Sequence, residues 1–259
     1  MEKHTVSASL TDNTKYMNRA LPVKKSFDII ERNLIIGGQN SAFYFIDGFT
    51  KDETMLKLMD SFLNISADDM PEDATSFSTS CIPYVEVDIL GDFDSIFKNL
   101  LSGVTCLFID GYEAAIAIDC RTYPSRSIEE PDKDKSLRGS RDGFVETIVF
   151  NTALMRRRIR DPHLIMEMYE AGTSTRTDVA LCYMSDRVDR ELLTTIQNKL
   201  EESKSQDLKM SQQSLAEALF QRKWYNPFPK YKFTERPDTA CACLMEGKVI
   251  ILTDTSPSA

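Results

Sequence analysis

The chain has 259 residues, of which 42% are apolar and 27% are charged, and its formal net charge is −9 at pH 7. This is the composition of a globular protein long enough for one large or two small domains, and we predict two. The acidic balance argues against nucleic acid as the main partner, because a phosphate backbone attracts basic surfaces. The longest purely aliphatic run, 249–252, is too short to cross a bilayer, and the polar N-terminus lacks the apolar core of a signal peptide. The six cysteines show no disulfide spacing, so reduced thiols and a soluble, cytosol-type protein are expected.

The first half of the sequence predicts an arm followed by a small α/β subdomain. Residues 1–26 are polar with a weak helical pattern, and a flexible or loosely docked arm is expected there. Residues 27–120 are the first predicted subdomain. Its predicted elements are strands at 34–36 and 42–47, a helix from a capping box at Thr50 to Asn64, a loop at 65–80, a strand at 84–89, a helix at 94–102 ended by Gly103, and strands at 104–109 and 114–119.

A linker and an arginine-rich helix are predicted at the centre of the chain. Residues 121–141 are rich in charge and contain two prolines, which is typical of a linker. From Arg138 to Pro162 the pattern predicts one helix, with Asp142, or alternatively Ser140, as the N-cap and arginines that complement the dipole at its end. Arg156 falls within an apolar stripe of this helix, so a carboxylate partner is expected. The candidate partners are Glu235 and Asp238.

Residues 142–259 are predicted to hold this central helix and a second α/β subdomain. Its other predicted elements are a helical continuation at 164–169 ended by Gly172, a strand at 178–184, helices at 188–202 and 212–222, a helix from Pro237 to Gly247, and a strand at 248–253. Both halves follow the order strand, helix, connection, helix, glycine, strand, at an offset of roughly 140 residues. The predicted fold class is therefore α/β (α+β), with two related small α/β subdomains that are joined by the arginine-rich helix, each a mixed sheet covered by helices. A cleft between two such lobes would suit a small ligand.

The sequence shows no catalytic or metal-binding constellation. There is no phosphate loop, nucleophile elbow or dinucleotide fingerprint, and the only histidines are His4 and His163. Asp47 and Asp110 each follow a strand and precede a glycine, but Asp-Gly is the usual chemistry of a turn. Cys241 and Cys243 would point about 200° apart on the predicted helix, which disfavours a metal pair. We expect no enzyme, no cofactor and no metal.

Four long strings resemble the N-terminal region of the A subunits of GerA-type spore germination receptors. They are RGSRDGFVETIVFNTALMRRRIRDP, MSQQSLAEAL, NPFPKYKFTERPD and EGKVIILTDTSPS. The similarity runs from about Phe27 to the C-terminus. It implies two α/β subdomains similar to the lobes of substrate-binding proteins, and no catalytic residues, because the family has none established.

The resemblance also implies a cellular setting. Family members continue into transmembrane helices, so this chain is expected to be an excised soluble region whose membrane part is absent. The A subunits are thought to form oligomeric ion channels in the spore inner membrane, with this region on the core (cytoplasmic) side. The implied partners are other copies of the same protein and other germination membrane proteins, with a small-molecule ligand under the alternative function given below, but no nucleic acid.

Two functions follow from the resemblance. The first is a regulatory and assembly domain that transmits or amplifies the germination signal; the alternative is a germinant sensor with a cleft between its lobes. On residues alone the arginines are open to three interpretations, namely dipole complements on a solvated surface, a nucleic-acid patch, or an interface. If the region assembles or transmits, an interdomain or intersubunit charge network is expected. Its members would be Arg138, Arg141, Glu146, Arg156, Arg157, Arg160, Glu235 and Asp238.

Overall fold

The chain divides into two compact units in the computed structural model. The first comprises Met1–Pro124 with Arg160–Pro162, and the second comprises Ser125–Ile159 with His163–Ala259. The structure describes residues 4–123, 142–204, 211–219 and 231–259. Across those four ranges, no helix is long and apolar enough to cross a membrane.

The first unit is an antiparallel sheet with helices on both faces. Its strands are β1 (Ile29–Ile36), β2 (Gln39–Ile46), β3 (Val87–Leu90), β4 (Thr105–Ile109) and β5 (Ala115–Ile118), in the order β1-β2-β4-β5-β3. Its helices are α1 (Leu10–Ala20), α2 (Asp52–Leu63), α3 (Ala74–Ser80) and α4 (Phe93–Leu101), with one 3-10 turn at Ala67–Asp69. Leu107 of β4 packs in one core cluster with Phe62 of α2 and Phe77 of α3. The next residue, Phe108, points to the opposite face, where its ring stacks with Phe93 of α4.

The second unit repeats this plan with a smaller sheet. Its strands are β6 (Leu164–Ala171), β7 (Thr177–Met184) and β8 (Ile250–Thr253), all antiparallel and in that order. Its helices are α5 (Ile148–Arg158), α6 (Arg190–Ser203), α7 (Ser211–Leu219) and α8 (Pro237–Met245). Leu181 of β7 packs with Ile196 and Leu200 of α6 in the core. The predicted class of two related α/β subdomains is confirmed, but the described strand pairs are antiparallel rather than mixed.

Three local predictions are wrong. Residues 164–169 were expected to be helical but lie in β6, because pairing with β7 along the whole strand outweighs the local preference of Leu164, Met166 and Met168 for helix. Helix α5 begins at Ile148 with Thr147 in the N-cap position, so Asp142 is not its cap, and Ser140 lies outside the described residues. Helix α2 follows Lys51 without a side-chain cap, so the predicted capping box is not formed.

The predicted N-terminal arm contains a packed helix. In α1, Leu10, Asn13 and Met17 are buried, at a spacing that places them on one face of the helix. Ser9 caps this helix, since its side chain accepts a hydrogen bond from the backbone of Asp12. Of the predicted linker, only residues 121–123 are described, and they lie in the first unit.

Gly103 ends α4 in a left-handed conformation that only glycine fits. Its φ is +98°, and a Cβ there would overlap the ring of Phe49, which is fully buried. We expect Gly103→Ala to lower the free energy of unfolding, measured in urea, by about 3 kcal/mol, of which about 1–2 is conformational and the rest overpacking. Gly111→Ala is the matched control in the same unit, because Gly111 has a φ of +92° but no neighbour within 4 Å of a Cβ. Equal losses at the two positions would contradict the steric argument.

Candidate functional site

Each unit holds the N-terminus of one helix, α1 or α5, with an aspartate that follows a distant strand. Asp110, directly after β4, accepts a hydrogen bond through Oδ1 from the backbone nitrogen of Leu10 at 2.8 Å. Asp254, directly after β8, makes the same bond to the nitrogen of Ile148 at 3.0 Å. A carboxylate at this place satisfies a free N–H and complements the helix dipole. Both aspartates therefore tie a helix to the end of the sheet.

A buried asparagine completes the same motif in each unit. Asn13 Oδ1 accepts from the nitrogen of Ser7 at 2.9 Å, and its Nδ2 donates to the oxygen of Ser7 at 2.6 Å. Asn151 makes both bonds to Val145, at 2.8 and 2.6 Å. The two asparagines are about 140 positions apart, which is the offset predicted from the repeat. The motif supports a relation between the halves, and sequence reasoning missed it because the bonded residue lies six positions before the asparagine, outside the spacing of a helix cap.

An open cavity lies beside the first of these motifs. Its volume is about 530 Å³, which is within the range of small-ligand sites. The lining combines the carboxylate of Asp110 with the polar residues Asn33, Asn40 and Ser41 and with aliphatic side chains. The backbone nitrogen of Asp110 also donates to the oxygen of Asn40, which is another residue of the lining. The expected turn at Asp110 and Gly111 therefore begins at one wall of the cavity. Such a lining can orient a small molecule that offers hydrogen-bond donors.

Arg156 lies fully buried on α5. Its exposure is 0%, and it is the largest fully buried side chain among the described residues. Its Nη2 donates to the carbonyl oxygen of Leu164, the first residue of β6, at 3.0 Å. The predicted burial of this arginine is thus present, while its pairing with Glu235 or Asp238 stays a prediction.

The remaining members of the predicted network are at different places. Arg138 and Arg141 lie outside the described residues. Glu146, Arg157 and Arg160 are exposed, and Glu235 is half-buried with its carbonyl accepting from the nitrogen of Phe144 at 2.9 Å. Arg160 belongs to the first unit and is within 3.4 Å of the hydroxyl of Tyr123.

Two arginines outside the predicted network act on the carboxyl of Asp238. Arg236 binds it with two nitrogens, at 3.0 and 2.5 Å, and lowers the pKa of the carboxyl. Arg158 contributes more weakly to the same lowering of the pKa. Its own ion pair is with Asp142, at 2.7 Å. Arg236 directly precedes α8, and its side chain contacts Asp238 in the first turn of that helix. The two residues are two positions apart, so the sequence could have suggested this contact.

The described residues offer no group of three or more side chains suited to bind a metal ion. Burial raises the pKa of the thiols of Cys106 and Cys241 to about 12. These two cysteines are therefore protonated at neutral pH and are poor nucleophiles.

Comparison with known proteins places the fold and motifs in a family. The family model for "Bacillus/Clostridium GerA spore germination protein" matches residues 15–259. The chain belongs to the GerA family. The match includes Asp110, Asn151, Arg156 and Asp254 and begins after Asn13, so most of the duplicated motif lies within the family region.

Individual members of the GerA family match nearly the whole chain. Stage V sporulation protein AF of Bacillus subtilis (strain 168) is 34% identical over 99% of this chain and 52% of its own length. Spore germination protein KA of the same organism is 29% identical, with 97% and 46% covered. The chain thus spans about half the length of these relatives.

A solved structure shows the same fold. The crystal structure of the N-terminal domain of the A subunit of the Bacillus megaterium spore germinant receptor GerK3 aligns with a TM-score of 0.70 at 22% identity. The alignment covers 100% of this chain and 96% of that one. The recognition of the GerA family from four sequence strings is therefore confirmed, together with the α/β (α+β) fold class, while the similarity to lobes of substrate-binding proteins stays a prediction.

Proposed function

We propose that the chain is the regulatory and assembly domain of a spore germination protein, and that it transmits or amplifies the germination signal without catalysis. The observation that carries this proposal is the family match over residues 15–259, with a fold shared by a germinant receptor A-subunit domain. Its partners are other copies of the same protein and other germination membrane proteins. Its place is the core side of the spore inner membrane, as part of an oligomeric ion-channel assembly.

The exposed end of α5 supports an assembly role. Arg157 is exposed and follows the buried Arg156, in a chain whose net charge is −9. A basic residue on an acidic protein suits an acidic surface on a partner copy, where charge complementarity fixes register and partner choice.

Charge reversal at this position tests the assembly role. Spores that carry Arg157→Glu in the full-length protein are expected to lose optical density at least tenfold more slowly after a germinant is added. Arg157→Lys is the control, because it keeps the charge at an exposed site. The level of the protein, followed by immunoblot, and the Tm of the domain should be unchanged in both. Normal germination of the Arg157→Glu spores would overturn the interface at this position.

A germinant sensor is the second candidate, and the cavity beside Asp110 is the observation that favours it. Amino acids, sugars, nucleosides, dipicolinate and common ions are the compounds to screen by thermal shift. A ligand at 100 times its Kd adds about 2.7 kcal/mol of stability, or a shift of a few degrees for a domain of this size. Asn33→Leu should abolish the shift if the ligand binds in this cavity, whereas Arg157→Lys should not. A panel without any shift would leave the assembly role as the better proposal.

A further inference from the structure

The two units differ at one edge of their sheets. In the first unit, β4 pairs with β2 on one side and with β5 on the other, and β5 in turn pairs with β3. In the second unit, β8 corresponds to β4 and pairs with β7 through residues 250–253. Within the described ranges, no strand pairs with the other edge of β8.

The chain leaves β8 along the same path by which it leaves β4. After β4, the nitrogen of Tyr112 donates to the oxygen of Ile109 at 3.2 Å; after β8, the nitrogen of Ser256 donates to the oxygen of Thr253 at 3.3 Å. Tyr112 and Ser256 are both 6% exposed. The turn that leads into β5 is therefore repeated in the second unit.

The first residue pair between β5 and β3 also has a counterpart in the second unit. In the first unit, Ala115 at the start of β5 pairs with Leu90 at the end of β3. In the second unit, Ala259 and Thr234 exchange two backbone hydrogen bonds, at 3.0 and 2.8 Å. Ala259 thus takes the position of the first residue of β5, and 231–234 takes the position of β3.

The open edge of β8 is apolar and directed at this position. The nitrogen of Asp254 donates to the oxygen of Asp178 on the β7 side at 2.9 Å, and such bonds alternate along the strand. The N–H and C=O groups of Val249 and Ile251 therefore face away from β7. All of β4 is buried, whereas Ile250 and Ile251 are only half-buried, and Phe233, which directly precedes Thr234, is 45% exposed. An apolar edge with free backbone groups is a template for another strand.

We propose that this edge is a strand-binding slot filled in cis by an extended apolar segment joined directly after Ala259. The segment is about as long as β5, which has 4 residues, and runs antiparallel to both β8 and 231–234. By analogy with Ile116 and Ile118 of β5, which lie in the core of their unit, its first and third added residues are aliphatic and the residue between them is small. The relatives are about twice as long as this chain and contain polypeptide outside the matched region. Backbone hydrogen bonds of this segment then fix the polypeptide that follows it to the second unit, in place of a flexible linker.

The test adds the segment to the protein. Ile-Ala-Ile-Asp, the sequence of residues 116–119, is appended after Ala259, and Gly-Ser-Gly-Ser and Ile-Pro-Ile-Asp are appended as controls. The first extension should raise the Tm by roughly 5 °C. It should also slow hydrogen exchange of the Val249 and Ile251 amides at least 100-fold. The two controls should do neither, because glycine and serine lack apolar side chains and proline lacks the N–H that faces 231–234.

Two outcomes would overturn the proposal. One is the same Tm and the same exchange rates for all extensions. The other is dimerisation of the chain through this edge, both without an extension and with Ile-Ala-Ile-Asp appended. It would be seen as a concentration-dependent mass by light scattering, together with slow exchange of the Val249 and Ile251 amides in both proteins. That result would assign the edge to a second copy.

Discussion

Arg156→Ala is expected to lower the free energy of unfolding by about 3–5 kcal/mol, which corresponds to a fall in Tm of roughly 10 °C. Arg156 is fully buried, and its guanidinium donates to the oxygen of Leu164 at 3.0 Å. Alanine would remove every atom beyond Cβ from a fully buried side chain and leave a cavity in its place. It would also leave a buried carbonyl at the start of β6 without this donor, and such groups are costly to desolvate.

Arg158→Ala is the matched control for this prediction. Arg158 is two residues further along α5 and at the surface, where it forms an ion pair with Asp142 at 2.7 Å. Exposed ion pairs contribute about 0–1 kcal/mol, so its loss should be small. Arg156→Met separates charge from volume, because methionine fills much of the space without donating hydrogen bonds. If urea unfolding gives similar small losses for Arg156→Ala and Arg158→Ala, the buried arginine is not a structural anchor.

The apolar periodicity of the sequence and the positions of its glycines and prolines predicted several features of the fold. The glycines that end α4 and α8 and the proline that begins α8 marked boundaries that the structure confirms. The repeat at roughly 140 residues predicted two related subdomains, because the same order of elements occurs twice. The burial of Arg156 was indicated by its place on an apolar stripe.

What the sequence could not show depends on partners that are distant along the chain. β6 has a local pattern compatible with a helix, and it is the ladder with β7 that makes it a strand. The cavity beside Asp110 brings together residues from α1, β1 and β2, and the aspartates that hold Leu10 and Ile148 come from positions about 100 residues further along the chain. Arg158 of α5 lowers the pKa of Asp238 of α8 because these two helices pack together, and a one-dimensional pattern assigned that place to other arginines.

Asn151→Ala is expected to lower the free energy of unfolding by about 2–4 kcal/mol. The side chain is fully buried, and its amide satisfies both the N–H and the C=O of Val145, which is itself half-buried. Alanine would leave both backbone groups without these bonds, at about 1–3 kcal/mol for each group that water cannot reach. Asn151→Asp should also destabilise, because a carboxylate cannot donate to the Val145 oxygen.

Asn13→Ala is the internal control, since the duplicated motif gives it the same two bonds. Asn13 is 2% exposed, but the backbone that it holds belongs to Ser7, which is exposed and can bind water when the amide is lost. We therefore expect Asn13→Ala to destabilise by about 1 kcal/mol less than Asn151→Ala. Urea unfolding of both variants, with hydrogen exchange of the Val145 amide, measures the difference. A larger loss of unfolding free energy for Asn13→Ala would contradict this explanation. It would mean that packing around the side chain, and not solvation of the bonded backbone groups, determines the loss.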